Sequence, residues 1–172
     1  FIVFVITVHI APYAVDVGFS SMTAASVLST IHGCGVFGRL FIGFSADRIG
    51  ARRALVACVF AVILALIWLL FARDIWMFYV FAVVFGIAYG GLASLLPLVP
   101  AELFGLGSLG IIYGSIHFLS TAGGAVGPLL AGSIFDVTGS YRLAFLICVA
   151  TGTLATMLSL VLLKAKGWRG GD

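Results

Sequence analysis

The chain has 172 residues, of which 63% are hydrophobic and only 9% are charged, against about 25% charged in an ordinary soluble domain, so a water-soluble fold is excluded. Its net charge of +3 does not make a nucleic-acid surface, because the nine Lys and Arg residues are dispersed between apolar runs instead of sharing a face. Unbroken apolar runs also exclude a transmembrane barrel, whose strands alternate, and leave an all-α membrane protein with roughly 20 helical residues per crossing.

Six spans are expected, at about 1–15, 21–45, 54–72, 75–97, 108–135 and 142–163, in one transmembrane bundle. The first is too short to cross alone. It opens at Phe1 in the middle of an apolar run, with no Met and no basic residue before it, so the sequence reads as a fragment without a cleavable signal peptide. It carries His9 and Tyr13. An imidazole in an apolar span either lines a wet cavity and exchanges protons near neutral pH or is hydrogen-bonded within the bundle.

The second span holds His32, Cys34 and Arg39. Arg39 lies eight residues before Asp47, about 12 Å along a helix and therefore near mid-membrane. An arginine there costs roughly 2.5–3.5 kcal/mol on insertion scales, and no acidic residue sits one turn away to repay it. A guanidinium facing a water-filled cavity binds a carboxylate through two parallel hydrogen bonds, which Lys cannot do. The competing reading is that Arg39 snorkels to the cytoplasm or pairs with an acid elsewhere in a longer protein. The connection 46–53 then gathers Asp47, Arg48, Arg52 and Arg53 around Gly50, a residue suited to a reversal that needs positive φ.

The third and fourth spans are almost wholly apolar, and the connection 98–107, with Glu102, is expected to lie along the membrane interface. His117 and Ser120 sit in the fifth span, followed by Gly123, Gly124, Gly127, Pro128 and Gly132. Small residues let backbones approach where lipid supplies no hydrophobic drive, and Pro128 removes a donor and bends the helix, as tight packing or as a hinge. Cys34, Cys58 and Cys148 have no pairing or metal-ligand spacing and read as packing residues, with no metal and no cofactor implied. The tail 164–172 adds Lys164, Lys166 and Arg169. Six basic residues in the 46–53 connection and the tail, against Arg73 and Arg142 on the other side, put the loop and tail in the cytoplasm of a multi-pass cell-membrane protein.

An offset of 89 residues lays Gly35, Gly38, Leu40, Gly43, Asp47, Gly50 and Arg53 on Gly124, Gly127, Leu129, Gly132, Asp136, Gly139 and Arg142. Glycine matches are cheap, but Asp and Arg falling in the same order after them point to a repeat. Three spans per repeat turn the second copy upside down, giving a 3+3 inverted repeat of the kind that holds substrate near the midplane. The offset also implies that about ten residues of the first span lie upstream of Phe1.

Gly43-Phe-Ser-Ala-Asp47-Arg48-Ile-Gly50-Ala-Arg52-Arg53 resembles the loop signature G-x-x-x-D-R-x-G-x-R-R of the major facilitator superfamily. Residues 123–132 are similar to its glycine-proline helix pattern. The resemblance covers the whole chain and implies the carboxy-terminal six-helix half of a twelve-helix transporter, with an amino-terminal half as partner. It implies a cytoplasmic clamp of Asp47 with its arginines, made in one state and broken in the other; the alternative is an ordinary interfacial turn. The string from His9 to Gly18 and the step Gly38-Arg39 resemble the branch of monocarboxylate porters and oxalate/formate antiporters. In that branch an arginine on this helix binds the substrate carboxylate. Ser120 stands near the position of the second cation that oxalate carriers use, and no Lys or Arg occurs between Leu109 and Phe135, which favours a monocarboxylate.

These features predict a secondary transporter of small organic anions, proton-linked or exchanging, with Arg39 as anion anchor and His9, His117, Tyr13 and Ser120 as further contacts. An exporter of drugs or other metabolites on the same fold is the alternative, and a channel-like or structural subunit is a different class. No paired metal-ligand histidines, Ser/His arrangement or acidic dyad within the spans supports an enzyme.

Overall fold

The computed structural model describes residues 1–164, and among them the chain forms six helices and no strand. In order these are α1 (Ile2–Asp16), α2 (Ser21–Ile49), α3 (Ala51–Phe71), α4 (Ile75–Phe104), α5 (Leu109–Thr138) and α6 (Arg142–Lys164). Helices α2 to α6 are long and apolar enough to cross a membrane, whereas α1 has 15 residues and is shorter than a span. Lys164 closes α6; the tail residues Lys166 and Arg169 lie outside the described residues.

Two connections are shorter than the sequence suggests. Helix α2 runs on to Ile49 and α3 begins at Ala51, so the 46–53 segment is two helix ends meeting at Gly50. That glycine has φ 90° and donates its N–H to the Ala46 carbonyl at 2.9 Å. Its repeat partner Gly139 ends α5 with φ 66° and donates to Phe135 at 2.7 Å. Side chains with a Cβ are strained at such φ, which is why glycine occupies both reversals. Residues 98–104 are not a loop along the interface but the last turns of α4, which continues through Pro97 and Pro100. Each proline forfeits one donor, a loss that neighbouring helices make tolerable in a bundle.

Glycine faces decide the packing. On α4, Gly86 and Gly90 are spaced four apart and face Ile31, Cys34 and Gly35 of α2; Gly38 of α2 in turn sits on the backbone of Ile87. A Cβ placed on Gly91 would lie 2.7 Å from Ile42. On α5, Gly124 and Gly127 face Phe4 and Val5 of α1 and Phe1 just before it, with a Gly124 Cβ only 2.8 Å from the Phe4 ring. The repeat thus reappears as a pairing rule: α2 packs on α4 as α5 packs on α1. The α1 side offers Phe and Val where α4 offers glycine, so the α2–α4 contact is the closer of the two. Small-residue seams of this kind hold helices together by dispersion and close backbone approach.

Helix α3 packs against α4 and α6. The centre is filled by Phe78, Phe81, Phe85 and Phe145 with Ile6, Ile10, Leu66 and Leu69, all fully buried. Cys58 and Cys148 are buried and Cys34 is half-buried, none in a disulfide. Large apolar side chains of α2, α5 and α6, among them Phe37, Phe41, Leu119, Leu129 and Val161, point outward. That is the surface expected of a chain whose solvent is lipid or a second bundle.

Candidate functional site

Arg39 stands beside the tightest seam of the molecule. Its neighbour Gly38 is buried on α4, while Arg39 itself is exposed on the flank of α2. The single hydroxyl proton of Ser94 on α4 is shared between the Gly91 carbonyl at 2.9 Å and, across the seam, the Arg39 carbonyl at 3.3 Å. The backbone is therefore tied across the seam and the guanidinium has no ion pair with any described residue.

A cavity of about 650 Å³ opens among the helices, with contributions from all six. Its polar members are Thr7, His32, Tyr89, His117 and Ser120; the rest is apolar, including Phe4, Leu92 and Leu96. His32 meets the Tyr89 ring edge-on at 6.5 Å, and His117 stacks on Tyr113 at 5.9 Å. The structure thus brings His117 and Ser120 together, and joins to them His32 and Tyr89. Tyr89 was illegible as a wall residue in an apolar run; only its register on the glycine face of α4 puts it there.

Three expected site residues lie elsewhere than that cavity. Arg39 does not line it. His9 is 8% exposed in the α1–α5 seam, where its Nε2 meets the Pro128 carbonyl at 3.0 Å and its Nδ1 is buried without a partner among the described residues. Since a carbonyl only accepts, that bond assigns the ring proton to Nε2. A Cβ on Gly132 would lie 3.8 Å from the same ring, so the small residues of α5 make room for it. Tyr13 is half-buried near the end of α1, edge-on to Phe145 at 5.0 Å, and lines a cavity separate from that of His117.

At the Gly50 end, Asp47, Arg48 and Arg53 are exposed, and Arg48 lies over the Phe44 ring at 4.5 Å. The ion pair observed here is Arg52 Nε to Glu102 Oε1 at 2.7 Å, and the same guanidinium donates to the Leu162 carbonyl at 3.5 Å. Arg52 is in the first turn of α3 and its partner Glu102 is in the last turn of α4. A pair so placed ties the ends of α3, α4 and α6. Because both side chains are partly exposed, a double-mutant cycle of Arg52→Ala and Glu102→Ala is expected to give a coupling of about 1 kcal/mol, read from thermal unfolding. Additive effects would remove the pair as a tie.

The family model described as Major Facilitator Superfamily matches residues 1–169. The chain belongs to the Major Facilitator Superfamily. It is 33% identical over 145 residues to monocarboxylate transporter 12 of Rattus norvegicus, covering 82% of this chain and 30% of that protein. It is 29% identical over 155 residues to monocarboxylate transporter 7 of Homo sapiens, 88% of this chain and 30% of the relative. It is also 27% identical over 153 residues to riboflavin transporter MCH5 of Saccharomyces cerevisiae, 87% and 29% respectively. The chain therefore spans about 30% of the length of the curated relatives it matches. All three relatives are named as transporters, two of them as monocarboxylate transporters.

Proposed function

We propose that this chain is the carboxy-terminal half of a secondary active transporter that moves small organic monocarboxylates across the cell membrane by alternating access. In this reading the Gly50 turn and the tail face the cytoplasm, and an amino-terminal bundle closes the substrate crevice. The observation that carries it is Arg39, an exposed guanidinium inside a membrane-spanning helix, without an ion pair among the described residues. Such a charge is retained where it meets a ligand or a wet crevice. His117 and Ser120, with His32, supply polar contacts and a proton-accepting group. His9 acts through Pro128 as a positioning residue for α5, and Tyr13 faces the far end.

Carboxylate uptake is tested with the full-length protein in proteoliposomes given radiolabelled lactate. Uptake several-fold faster with acid outside, and slowed when a protonophore dissipates the gradient, is the expected result for proton coupling. Acceleration by lactate inside without a pH effect assigns exchange. A second reading, an exporter or carrier of larger apolar metabolites, is favoured by the size and apolar walls of the cavity. Transport of riboflavin or an organic cation, with no carboxylate moved, would replace the first reading by the second.

A further inference from the structure

The end of the bundle opposite Gly50 has a cavity of its own. Its volume is about 430 Å³, and it lies where the α1–α2, α3–α4 and α5–α6 connections converge. Arg73 and Arg142 line it, together with the hydroxyl-bearing residues Tyr13 and Ser140; Phe71 and Phe145 form its apolar wall. The acidic residues at this end are Asp16, Asp74 and Asp136, and none of them lines it. Neither arginine forms an ion pair with a described residue.

Arg73 from the α3–α4 connection and Arg142 from the start of α6 line one recess, and their planar forks fit a carboxylate. The aromatic wall beside them suits an apolar body and gives nothing to a small, fully hydrated anion. Arg142 is also the repeat counterpart of Arg53, following Gly139 as Arg53 follows Gly50. The inverted repeat has thus put a second basic turn at the far face, here with a cavity over it.

We propose that this far-end cavity binds a carboxylate carrying an apolar body, with Arg73 and Arg142 holding the charge. It is a site distinct from Arg39 and does not depend on the transport reading.

Calorimetric titration of benzoate into the purified full-length protein carrying Arg39→Gln tests the site with the mid-membrane cation removed. Saturable binding is expected to remain, to weaken about tenfold or more on adding Arg73→Gln and Arg142→Gln, and to weaken less with Tyr13→Phe. Binding lost entirely with Arg39→Gln alone, or unmoved by both added substitutions, overturns the proposal. So does inorganic phosphate binding as tightly as benzoate. Should the multiple variant not fold, Ser140→Cys in the otherwise native protein provides the reading. Benzoate is expected to slow its modification by a membrane-impermeant thiol reagent several-fold, and no protection overturns the site.

Discussion

Replacing Arg39 by glutamine in the full-length protein is expected to reduce lactate uptake roughly 30- to 150-fold at low substrate while leaving the amount of inserted protein unchanged or higher. Hydrogen bonds to a charged group contribute about 1.5–3 kcal/mol, and every 1.4 kcal/mol is tenfold in affinity, so loss of the fork at the upper part of that range gives this factor. Removing the charge also relieves part of the roughly 2.5–3.5 kcal/mol insertion cost of an arginine, the glutamine amide keeping the rest. The two effects have opposite signs, which separates an anion anchor from a structural arginine. Lysine keeps the charge but not the planar fork, so Arg39→Lys is expected to fall between the two, with most of the loss in KM. Undiminished uptake by Arg39→Gln in the presence of normal insertion would remove the anchor.

Gly90→Ala is expected to be the most damaging single methyl group in the chain. A Cβ there would drive into the backbone of Gly35, lying 2.7 Å from its carbonyl carbon and 2.8 Å from its Cα. Backbone cannot rotate out of the way as a side-chain end can, so α2 and α4 must separate along the seam that carries Gly38 and Ser94. Overpacking of this kind costs about 3 kcal/mol or more, a large part of a marginal stability. A fall of many degrees in the thermal unfolding midpoint of the purified protein is the measurement. Gly33→Ala, where nothing lies within 4 Å of the added carbon, is the control and is expected to leave the midpoint in place. Equal midpoints for the two variants would show that the seam can open without penalty.

The two variants together bear on how substrate recognition and packing are linked. Arg39 is held at its height by the hydrogen bond from Ser94 and by the burial of Gly38 one residue before it. A widened seam would move the guanidinium as well as weaken the bundle. A partly folded Gly90→Ala protein should accordingly lose carboxylate affinity in proportion to its loss of stability.

Some features stand out in the sequence alone. A charge in an apolar span announces itself by its cost, and Asp47, Gly50 and Arg53 announce a reversal because each residue type has few other reasons to occur in that order. The partnership of Gly86 and Gly90 with the Gly35–Gly38 face emerges only from the structure, because glycine in an apolar run signals closeness without saying to what. Glu102 could not be recognised as the partner of Arg52, because the two are 50 positions apart and become neighbours only when α3 and α4 pack. Likewise Tyr13, His9 and His117 share a residue class and an apolar setting, yet they occupy the far-end cavity, a buried seam and the main cavity.

By itself the sequence determined the solvent, the number of helices, the places where the chain turns back and the repeat that inverts three of them. These follow from local quantities: the apolarity of a run about 20 residues long, the freedom of a glycine, the cost of a charge. Tertiary structure alone decided which polar groups face one another, since that depends on the rotation of each helix about its axis. Rotation is set by interlocking small and large residues across seams, and a shift of one residue along a helix turns a side chain by about 100°, enough to move a histidine from a cavity wall into a packed interface.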